Sequence, residues 1–156
     1  MTIRRATTAD IPRILELLSQ VLEVHAAIRP DIFVSGTTKY NADELAEIIA
    51  DDTKPIYVAL SDEDIVAGYA FCQLKEPSFA STMVPRKTLF MDDLCVDESA
   101  RGSHIGKALF DHVISEAKQL GCYEITLNVW EGNDSALAFY KAMGMSPQET
   151  RMELIL

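Results

Sequence analysis

Two adjacent carboxylates, Asp92 and Asp93, interrupt the apolar segment KTLFMDDLCV at 87–96. An acid in such a setting can anchor a cationic amine or take a proton from it, directly or through a water molecule. Neighbouring side chains on a strand point to opposite faces, so only one of the two can enter a cleft unless a bulge intervenes. Either acid could equally be a solvated residue at a strand end or a partner of a loop backbone.

A second stretch that could bind a ligand is ESARGSHIGKALF at 98–110, where a short hinge precedes an amphipathic segment. If a helix begins there, its free N–H groups and the positive end of its dipole can hold an anion. Gly102 and Gly106 leave room for such a ligand, while Arg101 and Lys107 add positive charge. Many strand-to-helix turns carry glycine only for capping, so the loop alone does not decide between an anion site and a plain turn.

The glycine spacing excludes two familiar nucleotide motifs. A P-loop has glycines five positions apart and a hydroxyl residue after its lysine, whereas Gly102 and Gly106 are four apart and an alanine follows Lys107. A dinucleotide fingerprint lies in the first strand-to-helix turn, but this loop follows four predicted strands. A bound phosphate here would therefore belong to another kind of ligand.

The elements that would position these residues follow the order of a mixed α/β domain, not of a bundle or a sandwich. Hydrophobic periodicity and turn residues predict strands at 2–6, 55–61, 65–75, 87–96, 122–130 and 150–156. They predict helices after Thr7 or Thr8 and after Asn41, with two more at 105–120 and 135–143, and a loop from 25 to 40. No repeat or long linker divides the chain, so residues 1–156 are expected to form one domain.

Composition narrows the classes of partner. The chain has 24 acidic and 14 basic residues, a net charge of −10, so its field repels a nucleic-acid backbone. The longest apolar run, IVAGYAF at 65–71, is too short to span a membrane, and we expect a cytoplasmic protein. The three cysteines are widely spaced in apolar contexts, which argues against a disulfide framework or a metal site.

The region from DDLCV to YKAMGM resembles the Gcn5-related N-acetyltransferase (GNAT) superfamily. The acetyl-CoA signature of that family matches RGSHIG at 101–106, with His104 in the place of its middle glycine. A second family segment, Asn followed by Phe-Tyr and Gly, matches Asn133, Phe139, Tyr140 and Gly144. Two segments in the right order, about 30 residues apart, are far more specific than either alone. The N–H groups around His104 can still form a cradle if its φ angle is ordinary.

The resemblance implies a fold and a cofactor. The fold is a mixed, mostly antiparallel sheet of six to seven strands, splayed between the fourth and fifth, with about four helices around it. The cofactor is acetyl-CoA, held in the splay and on the loop that follows it. The expected cofactor-binding residues are Leu94, Cys95, Val96, Arg101, Gly102, Ser103, His104, Ile105, Gly106, Lys107, Asn133 and Tyr140.

The resemblance also implies catalytic roles. Tyr140 would be the general acid, since a phenol can reprotonate a departing thiolate. Asp92 aligns with the acid that contacts the amine in polyamine-acetylating members, so we expect it to anchor the amine or act as base through water, with Asp93 as helper. The acceptor site would be bordered by Glu23, His25, Arg29 and Trp130, although the position of Trp130 at a strand end favours the core.

Two functions remain open at this stage. The first is an acetyl-CoA-dependent N-acetyltransferase that acts by direct attack on a primary amine of a small molecule, such as a polyamine, or of a peptide. The second is a non-catalytic module that binds acyl-CoA for regulation, which the replacement at His104 allows. The apolar end RMELIL at 151–156 either finishes the chain's own sheet or pairs with its counterpart in a homodimer.

Overall fold

A computed structural model describes all 156 residues and contains one sheet of five strands. In chain order the strands are β1 Thr2–Arg5, β2 Ile56–Leu60, β3 Val66–Lys75, β4 Thr88–Val96 and β5 Glu124–Thr126. They lie side by side in this order, the first four pairing antiparallel and β5 pairing parallel to β4. The sheet is mixed and mostly antiparallel, as predicted. It has five strands, so the expectation of six to seven strands is wrong.

Four helices cover the two faces of this sheet: α1 Ile11–Ile28, α2 Ala42–Ala50, α3 Ile105–Gln119 and α4 Asp134–Ala142. On one face α1 and α2 pack over a buried cluster that includes Ile14, Leu17, Leu45, Val58 and Tyr69. On the other face α3 packs over a second cluster that includes Tyr57, Ala70, Leu89, Leu109 and Val113. Because both faces are covered, β2 and most of β3 are buried along their whole length, which explains their nearly unbroken apolar sequence.

The first helix is longer than the sequence indicates. The loop predicted from residue 25 begins only after Ile28, so His25 lies inside α1. Pro30 disfavours helical backbone at the residue before it, and Arg29 accordingly leaves the helix with φ −132° and ψ 73°. The second helix begins as predicted, because the Asn41 side chain accepts a hydrogen bond from the Glu44 N–H at 2.9 Å in a capping box.

The C-terminal third departs most from the prediction. The strand expected at 122–130 pairs with β4 over only three residues, and the strand expected at 150–156 is absent. The alternation of apolar side chains shows that a segment can form a strand, but the strand exists only if a neighbour supplies hydrogen-bond partners. None of the four helices combines the length and the apolar composition that a membrane span needs.

Candidate active site

The two parallel strands β4 and β5 separate after a short contact. They pair from Thr88 to Phe90, while β4 continues to pair with β3 as far as Val96. The Asp97 N–H donates to the Ala67 carbonyl oxygen at 2.8 Å, which places the main-chain groups of every second residue of β4 on the β3 side. The edge of β4 toward β5 is therefore open, and the expected splay is present.

The main-chain groups that face this opening follow from the same alternation. Leu94 and Val96 present their N–H and C=O groups to the splay, whereas Cys95 is turned to β3 and pairs there with Tyr69. The Cys95 thiol is buried and donates to the Leu17 carbonyl oxygen at 3.6 Å. Cys95, one of the expected cofactor-binding residues, is thus engaged within the fold.

A β-bulge brings the two adjacent carboxylates together. The register passes from Phe71 opposite Asp93 to Cys72 opposite Met91, so Asp92 is the extra residue. The Asp92 Oδ2 atom accepts from the Lys39 ammonium at 2.6 Å. Burial lowers the pKa of Lys39, but the two carboxylates outweigh it and leave that pKa raised. The rule that neighbouring side chains point apart is therefore broken at this position, and both acids border one site.

Burial sets the proton affinity of Asp93. Removal from water raises the pKa of its carboxyl to about 6, although the Tyr69 hydroxyl, the Lys39 charge and the Leu94 N–H act in the opposite direction. The Tyr69 hydroxyl donates to Oδ2 at 2.7 Å and leaves the other oxygen, Oδ1, to further partners. Asp93 is thus a carboxylate whose pKa lies close to neutral pH and which has an oxygen that Tyr69 does not occupy.

Tyr140 lies on α4 across the opening. Its hydroxyl makes no hydrogen bond within the protein, and its ring packs against Phe110 and Phe139 with centroid distances of 6.2 and 5.3 Å. Burial raises the pKa of Tyr140 well above its usual value, and the negative charge of Asp93 adds to this shift. The phenol therefore keeps its proton and faces a nearby carboxylate.

The loop before α3 forms a row of unused donors. No backbone N–H from residue 101 to 107 donates to an acceptor in the protein. Gly102 has φ +82°, and His104, the N-cap of α3, has φ +63°. The expectation of an ordinary φ at residue 104 is therefore wrong, and its left-handed backbone is a conformation that favours glycine. Arg101 is exposed, and the Lys107 ammonium pairs with Asp111 at 2.5 Å.

Gly106 and Asn133 differ in what the fold requires of them. A Cβ atom added to Gly106 would meet its nearest neighbours, in Phe139 and Val96, at 3.6 Å, an ordinary contact. The packing therefore does not require glycine there, although glycine weakens a helix. Asn133 instead caps α4, because its side-chain oxygen accepts from the Ala136 N–H at 3.4 Å, while its amide N–H groups remain free.

The residues expected around the acceptor fall into two groups. His25 packs on Phe33 with a centroid distance of 5.1 Å, Phe33 packs edge-on against Trp130, and the Arg29 guanidinium lies 5.9 Å above the Trp130 ring. Trp130 is 37% exposed, so its assignment to the core is wrong. Glu23 plays a different part, because its carboxylate accepts from the Ser35 hydroxyl and the Gly36 N–H and so fixes the loop after α1.

An open cleft of about 200 Å³ leads to Asp92 from the side of α2. Its lining includes the carboxylates of Glu44, Glu47 and Asp92 and one ammonium group, that of Lys54. A cleft with this excess of negative charge attracts cations.

With this geometry in view, comparisons with known proteins identify the family. The family model described as "Acetyltransferase (GNAT) family" matches residues 20–145. The chain belongs to the GNAT acetyltransferase family. Over its full length this GNAT chain also resembles the crystal structure of a mutant of the BH1408 protein from Bacillus halodurans, with 35% identity, a TM-score of 0.95 and coverage of 100% of this chain and 99% of that one.

Curated relatives of this GNAT chain are N-acetyltransferases with different acceptors. The peptidyl-lysine N-acetyltransferase YjaB of Salmonella typhimurium is 33% identical over 65% of this chain and 58% of its own length. The thialysine N-epsilon-acetyltransferase of Bos taurus is 26% identical over 91% of this chain and 82% of its own. The chain spans about half the length of three of the curated relatives that it matches.

Three residues of the GNAT site carry no signal in the sequence. Lys39 stands in a polar loop, Phe33 in another part of that loop, and Tyr69 in a buried strand. Their contacts with Asp92, Trp130 and Asp93 join segments far apart in the chain. Residues inside the family segments, such as Tyr140, could be found from a local motif.

Proposed function

We propose that this protein is an acetyl-CoA-dependent N-acetyltransferase that transfers an acetyl group to a primary amine by direct attack in a ternary complex. The observation that carries the proposal is the pair of groups at the splay: the unpartnered hydroxyl of Tyr140 and the carboxylate of Asp93, with its pKa of about 6. One is an acid that keeps its proton and the other a base that can accept one. Reaction at an amine needs both.

The residues present fit coenzyme A. Seven consecutive free N–H groups, from residue 101 to 107, at the start of a 15-residue helix suit a pyrophosphate. Gly106, which packing does not require, leaves the approach to these groups clear. The C=O group of Leu94 and the N–H and C=O groups of Val96 face the open edge of β4 and suit the amide-containing pantetheine arm. Bound acetyl-CoA would supply the activated acetyl group.

Within the site, each side chain then has a role. Asp92 anchors the incoming ammonium, and Lys39 must first give up its contact with that carboxylate. Asp93 accepts a proton from the amine through the oxygen that Tyr69 leaves open, directly or through water. A main-chain N–H of the open β4 edge would donate to the carbonyl oxygen of a bound thioester, where negative charge develops. The Tyr140 hydroxyl would supply the proton that the leaving thiolate needs.

The acceptor we infer is a cationic amine. The acidic cleft beside Asp92 favours a positively charged molecule, such as a polyamine, or a lysine-like side chain of a peptide. The relatives named for peptidyl-lysine and for thialysine act on amines of this kind. The aromatic group of Phe33 and Trp130 would border the aliphatic part of the acceptor. All three cysteines are free, in keeping with a reducing compartment such as the cytoplasm.

The decisive experiment measures thiol release from acetyl-CoA with a panel of amines. We expect turnover with a polyamine or lysine-like acceptor, and a loss of at least about 10²-fold in kcat for Tyr140→Phe with unchanged affinity for CoA. Tyr123→Phe is the matched control, because Tyr123 is 72% exposed and its N–H pairs with the Lys87 carbonyl, directly before β4 begins and away from the splay. Equal rates for Tyr140→Phe and wild type would contradict the role of Tyr140. Tight CoA binding without turnover on any amine would favour a regulatory module instead.

A further inference from the structure

Lys39 already places a primary amine at the carboxylate that anchors the acceptor in the proposed function. Its ammonium donates to Asp92 Oδ2 at 2.6 Å, the contact that an acceptor ammonium would otherwise make. The Lys39 side chain is 49% exposed and that of Asp92 is 18% exposed, so the pair is neither sealed in the core nor free in solvent. A lysine side chain is also a cationic primary amine, which is the chemical class of the inferred acceptor.

The loop that carries Lys39 is fixed close to this residue. The ring of Tyr40 stacks on Phe71 with a centroid distance of 5.9 Å and packs against the buried cluster beneath α1 and α2. The Thr38 hydroxyl donates to the Tyr40 carbonyl oxygen at 3.0 Å, and Asn41 begins the capping box of α2. An amine tethered in this way is present at an effective concentration that a dissolved amine does not reach.

Both carboxylates of the bulge act on this amine. Asp93 follows Asp92, and the influence is mutual: the charge of Lys39 helps to lower the pKa of Asp93, and that of Asp93 helps to raise the pKa of Lys39. The other ammonium group of the acidic cleft, Lys54, pairs instead with Asp51 at 3.9 Å. Lys39 is therefore the amine that lies beside the proposed anchor and the proposed base.

We propose that Lys39 is an acetylation site that the protein modifies on itself, within one molecule. The proposal rests on the N-acetyltransferase activity proposed above. The Lys39 nitrogen forms a C–N bond to the acetyl carbon of bound acetyl-CoA, and the C–S bond breaks. Two protons leave this nitrogen: one passes to solvent by way of Asp93, and the other replaces, through water, the proton that Tyr140 gives to sulfur. The products are acetylated Lys39, free CoA and one proton.

The modification changes the charge at the anchor. An acetylated lysine has lost its positive charge and its ion pair, so the Asp92 carboxylate becomes free to bind an ammonium group from outside. Glu44 and Glu47 line the same cleft and add to its negative charge. Acetylation of Lys39 thus prepares the site for a cationic acceptor.

The test incubates the full-length protein with acetyl-CoA and no added amine, and follows intact mass and modified peptides. We expect the mass of one acetyl group to be added on Lys39, at a first-order rate that does not depend on protein concentration. Lys54, whose side chain is also 49% exposed, should remain unmodified. Lys39→Arg keeps the positive charge and should abolish the addition. Lys118→Arg, in the last turn of α3, is the matched control and should retain it.

The acceptor step gives a second readout. After modification, KM for a diamine should be about 2- to 5-fold lower than in Lys39→Arg, which keeps the ion pair with Asp92. An equal KM in the two proteins would contradict the effect of acetylation on acceptor binding.

The possible outcomes separate this proposal from the activity on which it rests. Acetylation spread over the exposed lysines, or an equal rate at Lys39 in Tyr140→Phe, would mean spontaneous reaction with the thioester and overturn the proposal. A rate that rises with protein concentration would overturn the transfer within one molecule. Thiol release with a dissolved amine while Lys39 stays unmodified would overturn the self-modification and leave the proposed function intact. Absence of transfer both to Lys39 and to every amine tested would contradict the proposed function itself.

Discussion

The neighbouring carboxylates Asp92 and Asp93 acquire different properties from one structural irregularity. The bulge turns both toward the same site, but Asp92 meets the Lys39 ammonium while Asp93 is withdrawn from water behind Tyr69. Asp92 is partly exposed and paired with a cation, whereas desolvation disfavours the charge on Asp93. The proposed division between Asp92 as anchor for the amine and Asp93 as acceptor of its proton is based on these surroundings. The sequence alone favoured Asp92 for both roles.

The pH dependence of the rate should report on Asp93. Its carboxyl must be ionised to accept a proton, and burial raises its pKa to about 6, so kcat/KM should fall as the pH drops below about 6. Asp93→Asn should lose most of the activity and with it this acidic limb. Asp62→Asn serves as the control, since the Asp62 side chain is 98% exposed. An unchanged acidic limb in Asp93→Asn would assign the titration to another group.

His104 should carry a measurable conformational cost. Its φ of +63° is unfavourable for any residue with a Cβ atom, by about 1 kcal/mol or more, and glycine escapes this cost. We expect His104→Gly to raise the free energy of unfolding by about 0.5–1 kcal/mol in urea titrations, while His104→Ala, which keeps the Cβ, leaves it nearly unchanged. If wild type, His104→Gly and His104→Ala bind CoA equally well, the free N–H groups of residues 101–107 alone explain that binding. A loss of affinity in both variants would show that the imidazole takes part.

At the scale of elements, Gly68 and Gly106 differ in whether the packing around them requires glycine. In β3, a Cβ added to Gly68 would lie 2.8 Å from the Cys95 carbonyl oxygen, so the close approach of β3 and β4 requires glycine. In α3, Gly106 has space for a methyl group and has no special φ angle. A helix that keeps an unneeded glycine at its N-terminus leaves its N–H groups accessible to a ligand.

Alanine substitutions should separate the two glycines. Gly68→Ala should lower the free energy of unfolding by about 1–3 kcal/mol through overpacking. Gly106→Ala should raise it by about 0.5–1 kcal/mol, because alanine is the better helix former, and should weaken CoA binding. Chemical denaturation and calorimetric titration with CoA measure the two effects. Full CoA affinity in Gly106→Ala would mean that the ligand does not approach this turn.

The elements that could be predicted are those whose signals are local. The capping box at Asn41, the hairpin of β2 and β3 and the amphipathic face of α3 follow from residues close together in the chain. The length of α1 was underestimated because polar residues near its end resemble a loop. The strand at 122–130 was overestimated, since the divergence of β4 from β5 is a property of the sheet and not of either segment.

At the scale of the whole molecule, the unpredicted parts of the site are contacts between distant segments. Tyr69 and Asp93 meet because β3 and β4 pair in one register, and Lys39, in the loop before α2, meets Asp92 at the bulge of β4. A pattern in one segment cannot reveal the position of another. The family motif supplies that information only at the residues it contains, which is why Tyr140 was found and Lys39 was not.

Asp97 joins the two halves of the molecule. Asp97 is 5% exposed and lies where β4 leads into the loop before α3. Its carboxylate accepts hydrogen bonds from Arg13 and Gln20 of α1. It also accepts from the N–H of Ser99 at 2.8 Å. Hydrogen bonds from Ser99, strengthened by Arg13, lower the pKa of Asp97 to about 2. Its folded-state pKa thus lies below the ordinary value of 3.8, so its stabilising effect is complete above about pH 4 and is lost as the pH falls through 2.

Asp97→Asn should therefore lower the free energy of unfolding by about 2–4 kcal/mol at pH 7, and by about 1 kcal/mol less at pH 3, where the wild-type carboxylate has begun to lose its advantage. Urea titrations at the two pH values measure this difference. Glu98→Gln is the matched control: it removes a neighbouring negative charge whose side chain is exposed, and should change stability by less than about 0.5 kcal/mol at either pH. If Asp97→Asn loses the same free energy of unfolding at pH 7 and pH 3, the hydrogen-bond geometry of residue 97, and not its charge, holds α1 to the loop before α3.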